Sequence, residues 1–385
     1  MYHIDYLPLL KLHLRVCKFI KCLPFEYDEK SGLVIRTQNS RQVITFKIQS
    51  IFSLLYSFAT ILHVCIGRLT LTERFLGSLF LILDILLTTT RWNYSLDKSP
   101  GQIVNSFLQF EKQILEDLPT APSSLGTKLM KIFIPVATLS LTGIAIFEFL
   151  LLLFAPCTPP FLLSMFPTCR QYYANGYLVQ CGIRLFESWM QWHMLLSGGT
   201  WVIYILFVGI VCLLTYFRVL HSQIAQIKKD QDMDTCIRLY RSIQILEKSF
   251  NDFLMVMIVP AMMICSPGIQ LIVQYVCINH HKDIAMPGFL VFPTLGLDAG
   301  INNVLVFTLA SHINIGSEKA LQGMKEKVMG LEKRKLMKRQ IRACSVLKVK
   351  FGSNFIDRGT PLVIQNFCVN QTVALTLIKS RHVAR

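Results

Sequence analysis

Charge is scarce in this chain. Asp, Glu, Lys and Arg make up 16% of its 385 residues, against about 25% in an average soluble protein. The shortage is deepest on the acidic side, with 23 Asp and Glu against 39 Lys and Arg. Paired cysteines are missing too. Twelve are present, none in a Cys-x-x-Cys arrangement, so no metal site is indicated. No enzymatic signature occurs, and the chain implies neither an enzyme nor a cofactor. The basic N-terminus lacks a short apolar core ahead of a small-residue cleavage site, so no cleaved signal peptide is expected. Asn-Pro-x-x-Tyr, a mark of G-protein-coupled receptors, is absent as well.

What the chain does have is apolar length. Hydrophobic residues make up 52% of it, gathered in seven runs at roughly 43–67, 75–94, 129–155, 194–218, 253–277, 288–310 and 360–378. Each is long enough to cross a hydrocarbon layer about 30 Å thick. The second run carries Asp84, the sixth Asp298, Asn302 and Asn303, and the seventh is the most polar.

The net charge of +16 would suit nucleic acid or anionic lipid, but its distribution favours a membrane reading. Twenty-seven of the 39 basic residues fall before the first run or in alternate connections after it, and eight fall in the opposite set. Cytoplasmic loops accumulate Lys and Arg. The sequence therefore predicts an all-α integral membrane protein with seven transmembrane helices, a cytoplasmic N-terminus and an extracellular C-terminus. No nucleic-acid partner is expected.

Helical extensions into the cytoplasm are also expected. Leu239, Ile243, Leu246 and Phe250 form one stripe, and Leu321, Met324, Val328 and Leu331 another. A basic run from Lys333 to Arg339 follows and would also suit anionic lipid. On the outer side, the connection 156–193 holds Cys157, Cys169 and Cys181, with Cys277 as a further candidate for a disulfide in that oxidising compartment. Trp189 and Trp192 sit where an interfacial belt is expected. His280, His281 and Asp283 cluster in one short loop without the spacing of a ligand set.

Ionisable residues within spans are candidates for function. Asp84, Glu148 and Asp298 qualify, and Trp201, Tyr204, Gln270 and Gln274 fall at a depth similar to Glu148. They read either as the polar contacts and aromatic wall of a ligand pocket or as interhelical hydrogen bonding. On the seventh run, Gln365, Cys368, Thr372, Thr376 and Lys379 share one helical face. That face must meet protein or water. A single bundle could bury it against neighbouring helices, or several copies could turn it inward around a pore.

The length, the seven spans with the N-terminus inside, and the last segment together resemble the arthropod gustatory and odorant receptor superfamily. That segment reads Phe351-Gly352-Ser353-Asn354-Phe355-Ile356-Asp357-Arg358 and then runs on through Lys379. Gustatory receptors typically end in Thr-Tyr, five apolar residues and Gln-Phe. Here Thr372 and Val373, five residues from Ala374 to Ile378, then Lys379 and Ser380 keep that spacing, with the Thr alone matching. The chain looks like a divergent, gustatory-like member.

The resemblance implies a ligand-gated cation channel in the plasma membrane, a homo- or hetero-tetramer responding to a small-molecule tastant or odorant. Its implied organisation is a cytoplasmic segment (1–42), a six-helix bundle with an outer ligand pocket (43–310), a basic helical anchor (311–359), a pore-lining helix (360–378) and an extracellular tail (379–385). Ligand-binding residues would be Glu148, Trp201, Tyr204, Gln270 and Gln274, and the pore would be lined by Gln365, Cys368, Thr372, Thr376 and Lys379. Four Lys379 side chains facing the axis would repel cations. The alternatives are a seven-helix receptor signalling through a cytoplasmic partner and a transporter, whose internal repeats do not occur.

Overall fold

The structure is a computed structural model that describes residues 1–115, 125–166, 169, 177–282, 284 and 286–383. Among these, six helices are long and apolar enough to cross a membrane. They lie at Ser40–Ile66 (α2), Leu125–Phe154 (α5), Tyr177–Trp201 continuing to Val208–Gln226 (α6 and α7), Ile258–Asn279 (α9), Val291–Ile301 continuing to Phe307–Lys327 (α10 and α11), and Thr360–Val383 (α13). The predicted second span forms a helix of 21 residues, Leu71–Arg91 (α3). It has the length to cross, but Glu73, Arg74, Asp84 and Arg91 make it too charged to be recognised by composition. Its start is fixed by a capping box between Thr70 and Glu73.

Two of these helices are far longer than a bilayer is thick. The first runs through α6 and α7 for 49 residues and the second through α10 and α11 for 40, about 74 and 60 Å at 1.5 Å per residue. Each therefore projects well beyond the hydrocarbon. Each also contains one π-helical segment, at Val202–Phe207 and Asn302–Val306. The projecting part of α7 packs on that of α11 and on Asp230–Leu254 (α8). The predicted α8 stripe of Leu239, Ile243, Leu246 and Phe250 is buried there.

The same end carries structure that the search for spans passed over. Residues Leu7–Ile20 form a helix (α1), followed by a hairpin of Phe25–Asp28 (β1) and Leu33–Arg36 (β2). Leu7, Leu10, Leu14 and Cys17 give α1 one apolar face, and all four are buried. Ahead of it, Glu111, just past helix Ser99–Phe110 (α4), accepts hydrogen bonds from Tyr2 N at 2.6 Å, His3 N at 2.8 Å and Tyr216 Oη at 2.8 Å. One buried carboxylate thus satisfies two backbone donors that a helix start leaves orphaned.

The connection into α13 is clamped to α8 beside the basic helix Arg334–Arg342 (α12). Asn251 Nδ2 donates to Lys348 O at 2.8 Å, and its Oδ1 accepts from Lys350 N at 2.9 Å. Glu247 accepts from Lys348 N at 3.0 Å, and burial pushes its carboxyl above the ordinary range. A short hairpin, Lys350–Phe351 (β3) with Asn354–Phe355 (β4), then turns the chain into α13.

At the opposite end a disulfide joins Cys157 to Cys169, and Cys181 and Cys277 are free. The expected outer connection 156–193 is much shorter than predicted, because α6 already begins at Tyr177. Trp189 and Trp192 are part of that helix and packed against the core. Trp189 meets the His193 ring at 4.6 Å, so it serves the bundle interior.

Candidate ligand cavity and the last helix

Residues of α3, α5, α6, α9 and α10 line a partly open cavity of about 120 Å³. Leu86, Leu195, Ile203, Phe207, Met262 and Ile269 supply apolar wall, and Asp298 is the sole ionisable residue in the lining. Ser140 Oγ donates to Asp298 Oδ2 at 2.7 Å. The helices come close here because one of them carries glycine. A Cβ on Gly198 of α6 would stand 2.7 Å from Thr90 Oγ1 and 3.2 Å from the Leu87 carbonyl on α3. The cavity is comparable with apolar cavities of about 150 Å³ that stay dry and bind benzene. Such a space suits a small, mostly apolar molecule with a hydrogen-bonding group toward Asp298 and Ser140.

The cavity lies at the middle of α5 and the first half of α9. None of the five expected ligand residues lines it. Trp201 packs edge-on against Phe25 at 5.3 Å. Tyr204 lies against His13 at 5.3 Å, and its carbonyl accepts from Tyr2 Oη. Glu148 is fully buried, with both carboxylate oxygens unpartnered. Gln270 and Gln274 point at α13. The structure scatters these residues over separate helix contacts, and it brings Asp298 to the cavity instead.

The polar face of α13 turns to α9 of the same chain. Gln270 Nε2 donates to Gln365 Oε1 at 2.9 Å, and Gln365 Nε2 donates back to Gln270 Oε1 at 3.2 Å. Cys368 Sγ approaches the Pro267 carbonyl at 3.6 Å, and Thr372 Oγ1 donates to Gln274 Oε1 at 3.1 Å. Asn279 Nδ2 donates to Thr376 Oγ1 at 3.0 Å, and Lys379 Nζ donates to the Asn279 carbonyl at 2.6 Å and to His280 Nε2 at 3.3 Å. The five residues expected to line a pore are thus the seam between two helices. Hydrogen bonding in hydrocarbon explains the choice, since α9 offers each of them a polar partner. Lys379 points at the last carbonyls of α9, a favourable place for a cation.

The other face of α13 is open. Val363, Val373 and Leu377 are exposed on it, and so are Asn366 and Asn370. Asn370 Nδ2 donates to Asn366 Oδ1 at 3.1 Å. These residues follow i, i+4 and i+7 spacing and make one stripe with two amides at its centre.

A buried polar file runs along α2, α3 and α6, beside the cavity. Gln191 Nε2 donates to Asp84 Oδ1 at 2.6 Å, and Ser57 and Thr88 share a hydrogen bond of 2.9 Å. Arg91 Nη1 donates to Ser53 Oγ at 2.7 Å and to His193 Nδ1 at 2.8 Å. Glu187 accepts from the Leu162 backbone N–H. Sequence reasoning missed Glu187, Gln191 and His193 because they lie in what looked like a loop. Gln180, Arg184, Glu187 and Gln191 recur at i, i+4, i+7 and i+11, one helical face, and that spacing was the available signal; His193 lies off that face. Among the described residues, no three His, Cys, Asp or Glu side chains are placed to hold a metal ion. Asp283, the third member of the His280–His281 cluster, lies outside them.

No family model matches the chain, and no curated protein matches it by sequence. Solved structures do. The insect olfactory receptor OR5 from Machilis hrabei, in complex with eugenol, superposes with a TM-score of 0.63. The match covers 98% of this chain and 100% of that one. The fold is that of an insect olfactory receptor. Identity over the match is 9%. A second OR5 structure gives a TM-score of 0.56 over 97% of this chain and 98% of the receptor, at 10% identity. The olfactory-receptor fold therefore spans the whole path described above, from the N-terminal helix through the clamped connection to α13.

Proposed function

We propose that the chain is a subunit of a ligand-gated chemoreceptor channel of the plasma membrane. The observation that carries this reading is the end-to-end likeness to a receptor solved with eugenol. In the proposed topology α3 is the second of seven spans, the N-terminus is cytoplasmic and the C-terminus extracellular. The basic residues gathered on α12 and ahead of α2 support this orientation, as does the Cys157–Cys169 disulfide at the other end. The ligand is a small, largely apolar tastant or odorant held in the cavity beside Asp298. The spacing from Thr372 to Ser380 supports a gustatory-like role.

Channel activity in this proposal comes from four copies around an axis, with lipid around the outside. Because Gln365, Cys368, Thr372, Thr376 and Lys379 are engaged with α9, the face offered to the pore is Asn366, Asn370, Val373 and Leu377. Lys379, bonded to the end of α9, then does not oppose cation entry. The test is thiol modification during recording from cells that express the chain. A cysteine replacing Asn370 should make evoked current sensitive to a water-soluble thiol reagent, while one replacing Thr372 should be protected. Sensitivity at Thr372 and none at Asn370 would reverse the assignment. A C-terminal epitope undetectable on intact cells would overturn the topology.

A further inference from the structure

We propose that a chain of buried amides couples the cavity to α13, so that filling the cavity shifts the last helix. This rests on the reading of the chain as a channel subunit. It adds the route by which its cavity and pore communicate.

The chain starts in the cavity wall. Ser266 and Asn302 both line the cavity, and Asn302 Nδ2 donates to Ser266 Oγ at 3.0 Å. Asn303, the next residue, is fully buried and donates from Nδ2 to Gln270 Oε1 at 2.7 Å. Gln270 and Gln365 then exchange a reciprocal pair of hydrogen bonds. Three elements are thereby joined: the π segment, α9 and α13. The contact between Asn302 and Asn303 is long, at 3.5 Å, but these residues are also consecutive in the backbone.

Two features make this arrangement switchable. Asn302 and Asn303 begin the π-helical segment Asn302–Val306. A π turn is an irregularity that a helix can remove or relocate, and doing so rotates the residues beside it. Asn302, Asn303 and Gln270 are buried and Gln365 is half-buried, and a buried amide that loses its partner incurs a desolvation cost. Displacement of Asn302 by a molecule in the cavity therefore cannot leave Asn303 and Gln270 as they are. Either the pairs move together or one breaks, and both outcomes alter the hold on Gln365. The Thr372–Gln274 bond lies on the same α9–α13 seam, but Asn303 bonds to Gln270 and not to Gln274. It provides an internal control.

The experiment uses the full chain in lipid nanodiscs, with a cysteine at Asn370 on the open face of α13. Its thiol-labelling rate is read by peptide mass spectrometry, which separates it from the native cysteines. The cavity is filled in two ways, with eugenol as a soluble probe and with Ala137→Phe as a covalent occupant. Filling by at least one route should change the rate about fivefold or more, the low end of typical coupling between sites. Asn303→Leu, Gln270→Leu and Gln365→Leu should each remove that change, and the Gln270/Gln365 double variant should lose no more than either single variant. Gln274→Leu should keep it. The proposal is overturned if filling the cavity by both routes leaves the rate unchanged. It is also overturned if Gln270→Leu retains the full change, or if Gln274→Leu loses as much. A rate that responds through the amides in a chain that carries no current would sink the channel reading and leave the coupling standing.

Discussion

Helices α5 and α13 look alike by the measures that identify membrane spans. Both are long, apolar and mostly unburied, with 33% of the α5 window and 22% of the α13 window enclosed by the rest of the chain. Their open faces differ in kind. On α5 the exposed side chains in mid-helix are Ile132, Val136, Leu139 and Ile146, a surface that hydrocarbon covers at no cost. On α13 the amides of Asn366 and Asn370 interrupt the apolar residues, and Gln371 is exposed beside them. Polar groups of that sort are tolerated at membrane depth where they meet protein or water. The two helices are exposed in the single chain to a similar extent, and the chemistry of the exposed face is what tells them apart.

The comparison breaks most easily with a charge. Leu139→Asp on α5 should cost about 2.5–3.5 kcal/mol at the helix centre and remove most protein from the cell surface. Val373→Asp on α13 should be carried at near-normal surface levels if, as proposed, its side chain faces water in a channel assembly. Equal loss at both positions, measured by surface biotinylation, would show that α13 meets lipid as α5 does. A smaller effect sharpens the contrast between the two faces of α13 itself. Thr376→Val removes the bond from Asn279 and should lower stability by about 0.6 kcal/mol, the average for interhelical bonds in membranes. Asn366→Leu, on the open face, should not lower stability in the isolated subunit. Thermal unfolding in detergent distinguishes the two.

The smallest effect concerns the start of α13. Asp357 Oδ1 accepts from Thr360 Oγ1 at 2.7 Å and from Thr360 N at 2.8 Å, and these bonds hold its carboxyl below the ordinary value. Its contribution is complete above the unfolded value, about 3.9, and is lost as pH falls through the lower folded value. Asp357→Asn should flatten this acid-side loss and leave neutral-pH behaviour nearly unchanged. An unchanged acid limb in a melting series would remove the cap from the account.

Legibility in the sequence followed hydropathy and stopped where polar residues were used in the interior. The runs behind α5, α7 and α9 were plain, and the apolar stripe of α8 was readable from spacing alone. The start of α6 was not. Gln180, Arg184, Glu187, Gln191 and His193 gave it the profile of a loop, whereas in the fold Gln191 and His193 bond to Asp84 and Arg91 across a helix interface. On α13 the polar residues were visible, but their direction was not, because two faces carry them and the choice depends on what α9 presents. The cavity shared that fate. Asp298 was recognisable as an unusual residue, and only packing could separate it from Glu148.

The uninterrupted run through α6 and α7 has a mechanical consequence. A helix of about 74 Å whose flanks are buried along 89% of its apolar window behaves as a lever held near its middle. Each degree of tilt about that middle moves either end by about 0.65 Å, the arm being about 37 Å long. A displacement smaller than an atom beside the cavity is then returned at the projecting end as a movement large enough to repack side chains. The cavity needs little volume for its contents to be felt at a distance.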